Sequence, residues 1–95
     1  MIEQVTKQDG EVKLQEAYPN AMREATQIGF SLPSVQTVSL GILTLNGQWV
    51  KQVVERTLEA GYHELTLERE GLSAGVYFYR LLVGDEQYAR RLVVE

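Results

Sequence analysis

The fold is decided by residues 38–47, which read VSLGILTLNG. Val38, Leu40 and Ile42 recur at every second position, and a period of two is that of a β-strand with one buried face. Asn46 and Gly47 follow soon after, and this dipeptide beside an alternating apolar run is the strongest short signal for a β-hairpin. The stretch therefore predicts a strand, a tight turn and a return strand.

The same alternation continues outward from this hairpin in both directions. On the N-terminal side, Ile28, Phe30 and Leu32 share one face of a strand that Pro33 ends. On the C-terminal side, glycine-containing turns separate further apolar runs. The predicted strands are residues 12–18, 26–32, 38–42, 49–54, 62–68, 76–83 and 87–94.

Short strands between regular turn signals are typical of a sandwich or a barrel. We therefore predict an all-β fold, a seven-stranded antiparallel immunoglobulin-like β-sandwich. The domain is expected at residues 13–95, after a linker or flexible end at residues 1–12. The predicted core consists of Ile28, Phe30, Leu40, Ile42, Leu65, Leu67, Tyr77 and Leu81.

Composition excludes several classes of function. The chain has 95 residues, enough for one domain. Its net charge of −4 argues against nucleic acid and against an anionic membrane surface, because both attract concentrated Lys and Arg. No apolar run is long enough to predict a transmembrane segment. The sequence contains no cysteine, which excludes a thiolate nucleophile and a zinc site of the usual kind.

The titratable residues suggest no catalytic arrangement. His63 alternates with Leu65 and Leu67, which favours a hydrogen-bonded, partly buried histidine over a catalytic base. Glu68 and Glu70 share a strand face, but such carboxylates at a strand end are more often a solvated rim than a glycosidase pair. We therefore expect no catalytic, cofactor-binding or metal-binding residues, no cofactor and no enzymatic activity.

Three aromatic residues have both a structural and a functional interpretation. Tyr77 follows Gly75 near the start of a strand, which predicts a hydroxyl that caps a backbone group and a ring that fills the core. The alternative for Tyr77 is direct contact with a partner. Trp49 and Tyr88 are the candidates for a sugar-stacking platform, although an indole just after a turn more often packs over a cross-strand neighbour.

Ordered motifs run through most of the chain. In the first half the motif residues are Leu14, Tyr18-Pro19-Asn20, Thr26, Ile28, Phe30, Leu32-Pro33, Val38, Leu40, Ile42, Asn46-Gly47 and Val50. In the second half they are Ala60, Gly61, His63, Leu72, Gly75, residues 76–81 and residues 91–94. In this order the motifs resemble the C-terminal sorting domain of type IX secretion cargo, the type A signal of Bacteroidota. Ala21 stands where the family usually has a second proline, and Arg91 where it often has lysine. The resemblance extends to the immunoglobulin-like domain of flagellar hook-capping proteins.

The resemblance implies a role outside the cytoplasm. Such domains direct exported cargo across the outer membrane, so the expected localisation is the periplasm in transit and then the cell surface or the medium. The implied partners are the outer-membrane type IX machinery and a sortase-like peptidase that usually removes the domain. We expect this removal in or just before the polar segment at residues 2–12, because a peptidase needs an extended, flexible backbone. The cargo is then commonly linked to an anionic lipopolysaccharide.

The last strand carries most of the expected signal. A strand at the end of a chain offers unpaired backbone to a receptor by strand addition, and edge strands also allow self-association. The sorting-signal candidates are Gly75, Tyr77, Arg90, Arg91, Leu92, Val93 and Val94. Two alternatives stay open: an immunoglobulin-like structural or interaction spacer, and the carbohydrate-binding module of a secreted glycan-degrading enzyme.

Overall fold

The described part of the chain is built entirely from strands and their connections. The computed structural model describes residues 11–95, so most of the predicted linker, residues 1–10, lies outside the described residues. Within this range Val12, which was assigned to the linker, packs half-buried against the core. The strands are β1 (Lys13–Leu14), β2 (Ala25–Leu32), β3 (Gln36–Thr44), β4 (Trp49–Leu58), β5 (Gly61–Glu68), β6 (Gly75–Val83) and β7 (Glu86–Val94).

The seven strands of residues 11–95 form two antiparallel sheets, ordered β1-β2-β5 and β4-β3-β6-β7. This confirms the predicted all-β, seven-stranded antiparallel sandwich. The immunoglobulin-like relation stays a prediction. In constant-type immunoglobulin domains the fourth strand lies in the same sheet as the first two, whereas here β4 lies beside β3. None of the described residues belongs to a helix that could cross a membrane.

The hairpin predicted at Asn46-Gly47 joins β3 to β4. The Gly47 amide donates to the Thr44 carbonyl at 2.9 Å, and the Thr44 amide donates to the Gln48 carbonyl at 2.8 Å. Gly47 has a φ of 88°, the left-handed conformation that three-residue hairpin loops place at their last position. The glycine is therefore required by the backbone, which explains why the dipeptide marks this turn.

The core lies between the two sheets and agrees with the sequence at most positions. Six of the predicted residues are fully buried: Ile28, Phe30, Leu40, Ile42, Leu67 and Leu81. Leu65 and Tyr77 are only half-buried at the margin of the core, so their assignment to its interior is wrong. Tyr79 fills the centre instead, with 0 % of its surface exposed, because it faces Ile42 in the middle of the four-stranded sheet.

The predicted first strand at residues 12–18 forms only at Lys13–Leu14. Beyond Leu14 the ladder with β2 becomes irregular, because backbone groups of residues 15–17 bond to a side chain, and regular pairing with β2 returns as a single bridge between Tyr18 and Gln27. The Tyr79 hydroxyl donates to the Gln15 carbonyl at 2.7 Å and accepts from the Ala17 amide at 2.8 Å. The chain then crosses from the three-stranded sheet to the outer edge of β7.

Candidate functional site: the terminal strand and its closed edge

All seven sorting-signal candidates lie on the hairpin formed by β6 and β7. In the antiparallel register Gly75 faces Val94, and Tyr77 faces Leu92. Arg91 faces Phe78 on the opposite side of the same sheet. The structure therefore brings residues from two separate sequence motifs together at one end of the sandwich.

Burial divides the residues of β7 into two groups. Leu92 and Val94 point into the core and are 0 % and 2 % exposed. Arg90 and Arg91 are exposed, and Val93 is half-buried. The buried pair holds the fold together, so only the second group is available to a partner of the folded domain.

The two arginines differ in what they contact. Arg90 donates from Nε to the Leu14 carbonyl at 2.8 Å and so ties β7 to β1 across the open side of the sandwich. The guanidinium of Arg91 has no hydrogen-bond partner among residues 11–95. Among residues 11–95, Arg91 is therefore the cation of this strand whose whole guanidinium remains open to an external carboxylate.

Gly75 and Tyr77 have structural explanations at the start of β6. Gly75 adopts a φ of 154°, which L side chains rarely adopt. The Tyr77 hydroxyl donates to the Ser73 carbonyl at 2.7 Å, so the predicted capping of a backbone group is confirmed. Both residues shape the loop that leads into β6, next to the last residues of β7.

The outer edge of β7 is occupied by the chain's own residues 18–22, which we call the closing segment. Asn20 donates from Nδ2 to the Arg91 carbonyl at 2.9 Å, and its Oδ1 accepts from the Val93 amide at 2.9 Å. The Met22 amide donates to the Val93 carbonyl at 2.8 Å, and the Met22 carbonyl accepts from the Glu95 amide at 2.9 Å. The expectation that β7 offers unpaired backbone is therefore wrong at residues 91–95.

Buried contacts anchor the closing segment on both sides. Ala17, just before the segment, is 2 % exposed, and Met22, at its end, is 0 % exposed. Thr26 donates from Oγ1 to the Pro19 carbonyl at 2.7 Å. Displacing the segment would expose a whole Met side chain, at a cost of about 1.5–3 kcal/mol before any hydrogen bond is counted. The edge is therefore closed in the ground state of the domain.

A shallow groove runs between this segment and the terminal strand. Its lining residues are Glu16, Asn20, Arg90, Arg91 and Val93. Asn20 was quoted as part of a motif in the sequence but was not among the site candidates. The contact that gives it a role joins residues 71 positions apart, and no local pattern reports such a contact.

The remaining titratable candidates agree with their structural interpretation. His63 is half-buried, its Nε2 lies 2.7 Å from the Glu59 carbonyl, and its ring stacks on Phe30 with centroids 5.6 Å apart. Glu68 and Glu70 are exposed at the end of β5, as a solvated rim should be. Residues 11–95 bring no three His, Asp or Glu side chains together in a way that could hold a metal ion. The absence of enzymatic activity and of a bound cofactor stays a prediction.

Trp49 and Tyr88 do not form a common platform. Trp49 lies on β4 and Tyr88 on β7, which are the two opposite edges of the four-stranded sheet. Tyr88 faces Leu81 and packs against the core, whereas Trp49 covers Gly41 on the outer face. The two rings therefore cannot stack on the same sugar.

Comparison with known proteins identifies the family. No curated protein matches the chain. The family model described as "Secretion system C-terminal sorting domain" matches residues 16–95. This range contains the closing segment and every strand from β2 to β7, which are the parts that build the groove. The chain therefore belongs to the family of secretion system C-terminal sorting domains.

Proposed function

We propose that this domain directs a cargo protein across the outer membrane by type IX secretion and brings it to the cell surface. The observation that carries the proposal is the family match over residues 16–95, which ends on the terminal strand. Arg91 on that strand, which is exposed and whose guanidinium has no hydrogen-bond partner among residues 11–95, supports it, because a signal read in the folded state needs accessible side chains. The partners would be the outer-membrane type IX machinery and a sortase-like peptidase.

The geometry is less favourable to a carbohydrate-binding module. Such a module stacks sugars on exposed, coplanar aromatic rings, and Trp49 and Tyr88 lie on opposite faces of the sheet.

A structural spacer, the other alternative, is compatible with the fold alone. The position in the parent gene distinguishes a sorting signal from a spacer, since a sorting signal must end the cargo protein whereas a spacer can lie anywhere.

A fusion experiment tests the proposal directly. A reporter with its own periplasmic export signal is joined to residues 1–95 and expressed in a host that has type IX secretion. The full domain should bring the reporter to the surface, and the reporter alone should stay in the periplasm. The same fusion should also stay in the periplasm of a strain that lacks the type IX outer-membrane channel. A reporter that remains periplasmic in the competent host would overturn the proposal.

A truncation that removes residues 91–95 completes the series. This variant should not reach the surface, but it also loses Leu92 and Val94 from the core. Its loss of export therefore has two causes, unfolding and loss of the signal. The substitution Arg91→Ala separates the two, because it removes the charge and leaves Leu92 and Val94 in the core.

A further inference from the structure

On the outer edge of β7, the side chain of Asn20 makes the backbone hydrogen bonds that a neighbouring strand would otherwise make. The amide of Asn20 donates to the Arg91 carbonyl and accepts from the Val93 amide, so it bonds the backbone on both sides of Leu92. A carboxamide makes both bonds at neutral pH, whereas alanine makes neither and aspartate lacks the donor. The pair of bonds fixes the orientation of the peptide groups that carry the Arg91 and Val93 side chains.

We propose that Asn20 is a positioning residue of the sorting signal, and that the receptor reads the side chains of Arg91 and Val93 rather than the edge of the strand. The inference rests on the proposed function and names the surface that serves it. Its partner is a protein surface that offers a carboxylate to Arg91 and an apolar side chain to Val93.

Two observations favour side-chain recognition over strand addition. The backbone groups that an added strand would need at Arg91, Val93 and Glu95 are already bonded to Asn20 and Met22. Met22 is fully buried, so the closing segment does not leave this edge at low cost. Arg91, in contrast, is exposed and has no hydrogen-bond partner among the described residues.

The position of Asn20 matters because chain ends fray unless they are tied down. Without the two bonds, β7 keeps its ladder to β6 and its bonds to Met22, but the Arg91 carbonyl and the Val93 amide lose their partners on the outer edge. The peptide groups around Leu92 then gain freedom that the receptor must remove on binding. Asn20 therefore links the first motif of the chain to the last and makes them parts of one signal.

The first measurement uses the purified domain. Amide hydrogen exchange is compared in the parent, Asn20→Ala and Ile28→Val, the last being a variant of a buried core residue that removes neither of the Asn20 bonds. Asn20→Ala should lower the protection factor of the Val93 amide by about tenfold relative to Ile28→Val, the effect of one lost hydrogen bond. Equal protection in the two variants would overturn the proposal.

Asn20→Asp gives a readout that simple destabilisation does not produce. A carboxylate accepts from the Val93 amide but cannot donate to the Arg91 carbonyl, whereas a protonated carboxyl can do both. At neutral pH the carboxylate faces the Arg91 carbonyl with no donor between the two oxygens, and this repulsion should move the side chain off the strand, so that the Val93 amide loses its partner. Protection of the Val93 amide, corrected for intrinsic exchange, should recover as the pH falls through the pKa of the new carboxyl, because the protonated carboxyl makes both bonds. The parent domain should show no such recovery. If protection of the Val93 amide in Asn20→Asp does not change with pH, the positioning role of Asn20 is contradicted.

Export of the fused reporter completes the test. Asn20→Ala should reach the surface less than Ile28→Val when the two have the same melting temperature. Equal export would sink the proposal, and higher export would favour strand addition, because Asn20→Ala opens the edge of β7. Failure of the parent fusion to reach the surface would overturn the proposed function and this inference together, whereas failure confined to the variants concerns Asn20 alone.

Discussion

The indole ring of Trp49 lies directly on Gly41, so closely that a β-carbon at Gly41 would stand 2.6 Å from Cζ3 of the ring. The guanidinium carbon of Arg80 lies 5.9 Å from the centroid of the same ring. On the other sheet Tyr62 covers Gly29 in the same way. Each outer face therefore carries a glycine whose missing side chain is replaced by an aromatic ring from the neighbouring strand.

Gly41→Ala should displace the indole and destabilise the domain by about 1–3 kcal/mol, the usual effect of an added group without space. Trp49 is the only tryptophan of the chain, so its fluorescence reports the displacement. We expect a shift of the emission to longer wavelength in the folded variant. Gly29→Ala is the matched control, because it displaces Tyr62 and should leave the emission unchanged. An unshifted emission in Gly41→Ala would contradict the arrangement.

Tyr79→Phe should destabilise the domain more than Tyr77→Phe. The first change removes a hydroxyl that bonds both Gln15 and Ala17 in the interior and leaves a buried amide without a partner, at a cost of about 1–3 kcal/mol. The second removes one bond to the Ser73 carbonyl at an exposed site, worth about 0.5–1.5 kcal/mol. Urea unfolding of the two variants measures both values, and equal losses would mean that the Tyr79 hydroxyl does not hold the segment.

The domain should lose stability in alkaline solution. Burial raises the pKa of Tyr79 above its ordinary value of 10.0, and the hydrogen bond to Glu86 raises the pKa of Tyr88. The unfolded chain therefore ionises first, so this contribution to stability is complete below about pH 9 and falls above about pH 10. The free energy of unfolding, measured in urea across this range, should fall less steeply in Tyr79→Phe than in the parent.

Arg91→Ala should reduce export without unfolding the domain. The change removes an exposed charge and little apolar area, so the melting temperature should stay within the error of the parent. Arg23→Ala is the control, because Arg23 forms an exposed ion pair with Glu95 at 2.7 Å and carries the same charge nearby. The surface reporter should fall for Arg91→Ala and not for Arg23→Ala. If both variants are exported as well as the parent, the receptor does not recognise this strand through Arg91.

Cleavage of the cargo is expected at residues 2–12 or upstream. From Lys13 onward the backbone pairs with β2, and a peptidase needs a strand that is free of such pairing. Terminal sequencing of the mature cargo from the cell surface locates the cut. An end within residues 28–83 would contradict the prediction, because that range lies inside the folded sandwich.

The strands were predictable because each depends on a local pattern. Val38, Leu40 and Ile42 alternate, and the turn at Gly47 requires a residue that tolerates a positive φ. How deeply a side chain is buried in the core was less predictable. Tyr77 and Tyr79 lie on the same face of β6, and only the register with β3 places Tyr79 at the centre. Periodicity therefore predicts which face of a strand a side chain occupies, but not how far that side chain lies from the edge of the core.

The closed edge of β7 was not predictable from the sequence. It depends on the side chain of Asn20 and the backbone of Met22, which are joined to residues more than seventy positions later. The short first strand has the same cause, because the Tyr79 hydroxyl binds the backbone that a longer strand would have used. Contacts of this kind follow from the assembled fold rather than from any window of the chain.

The closing of β7 by residues 18–22 also sets an order of events during synthesis. Asn20 leaves the ribosome 71 residues before Arg91, and Tyr79 follows Ala17 by 62 residues. Until these late residues arrive, the early segment has no native partner, and closing so long a loop is slow. A nascent chain that stops before β7 cannot build the groove. Under the proposed function, the complete signal therefore exists only in a chain whose last strand has been synthesised.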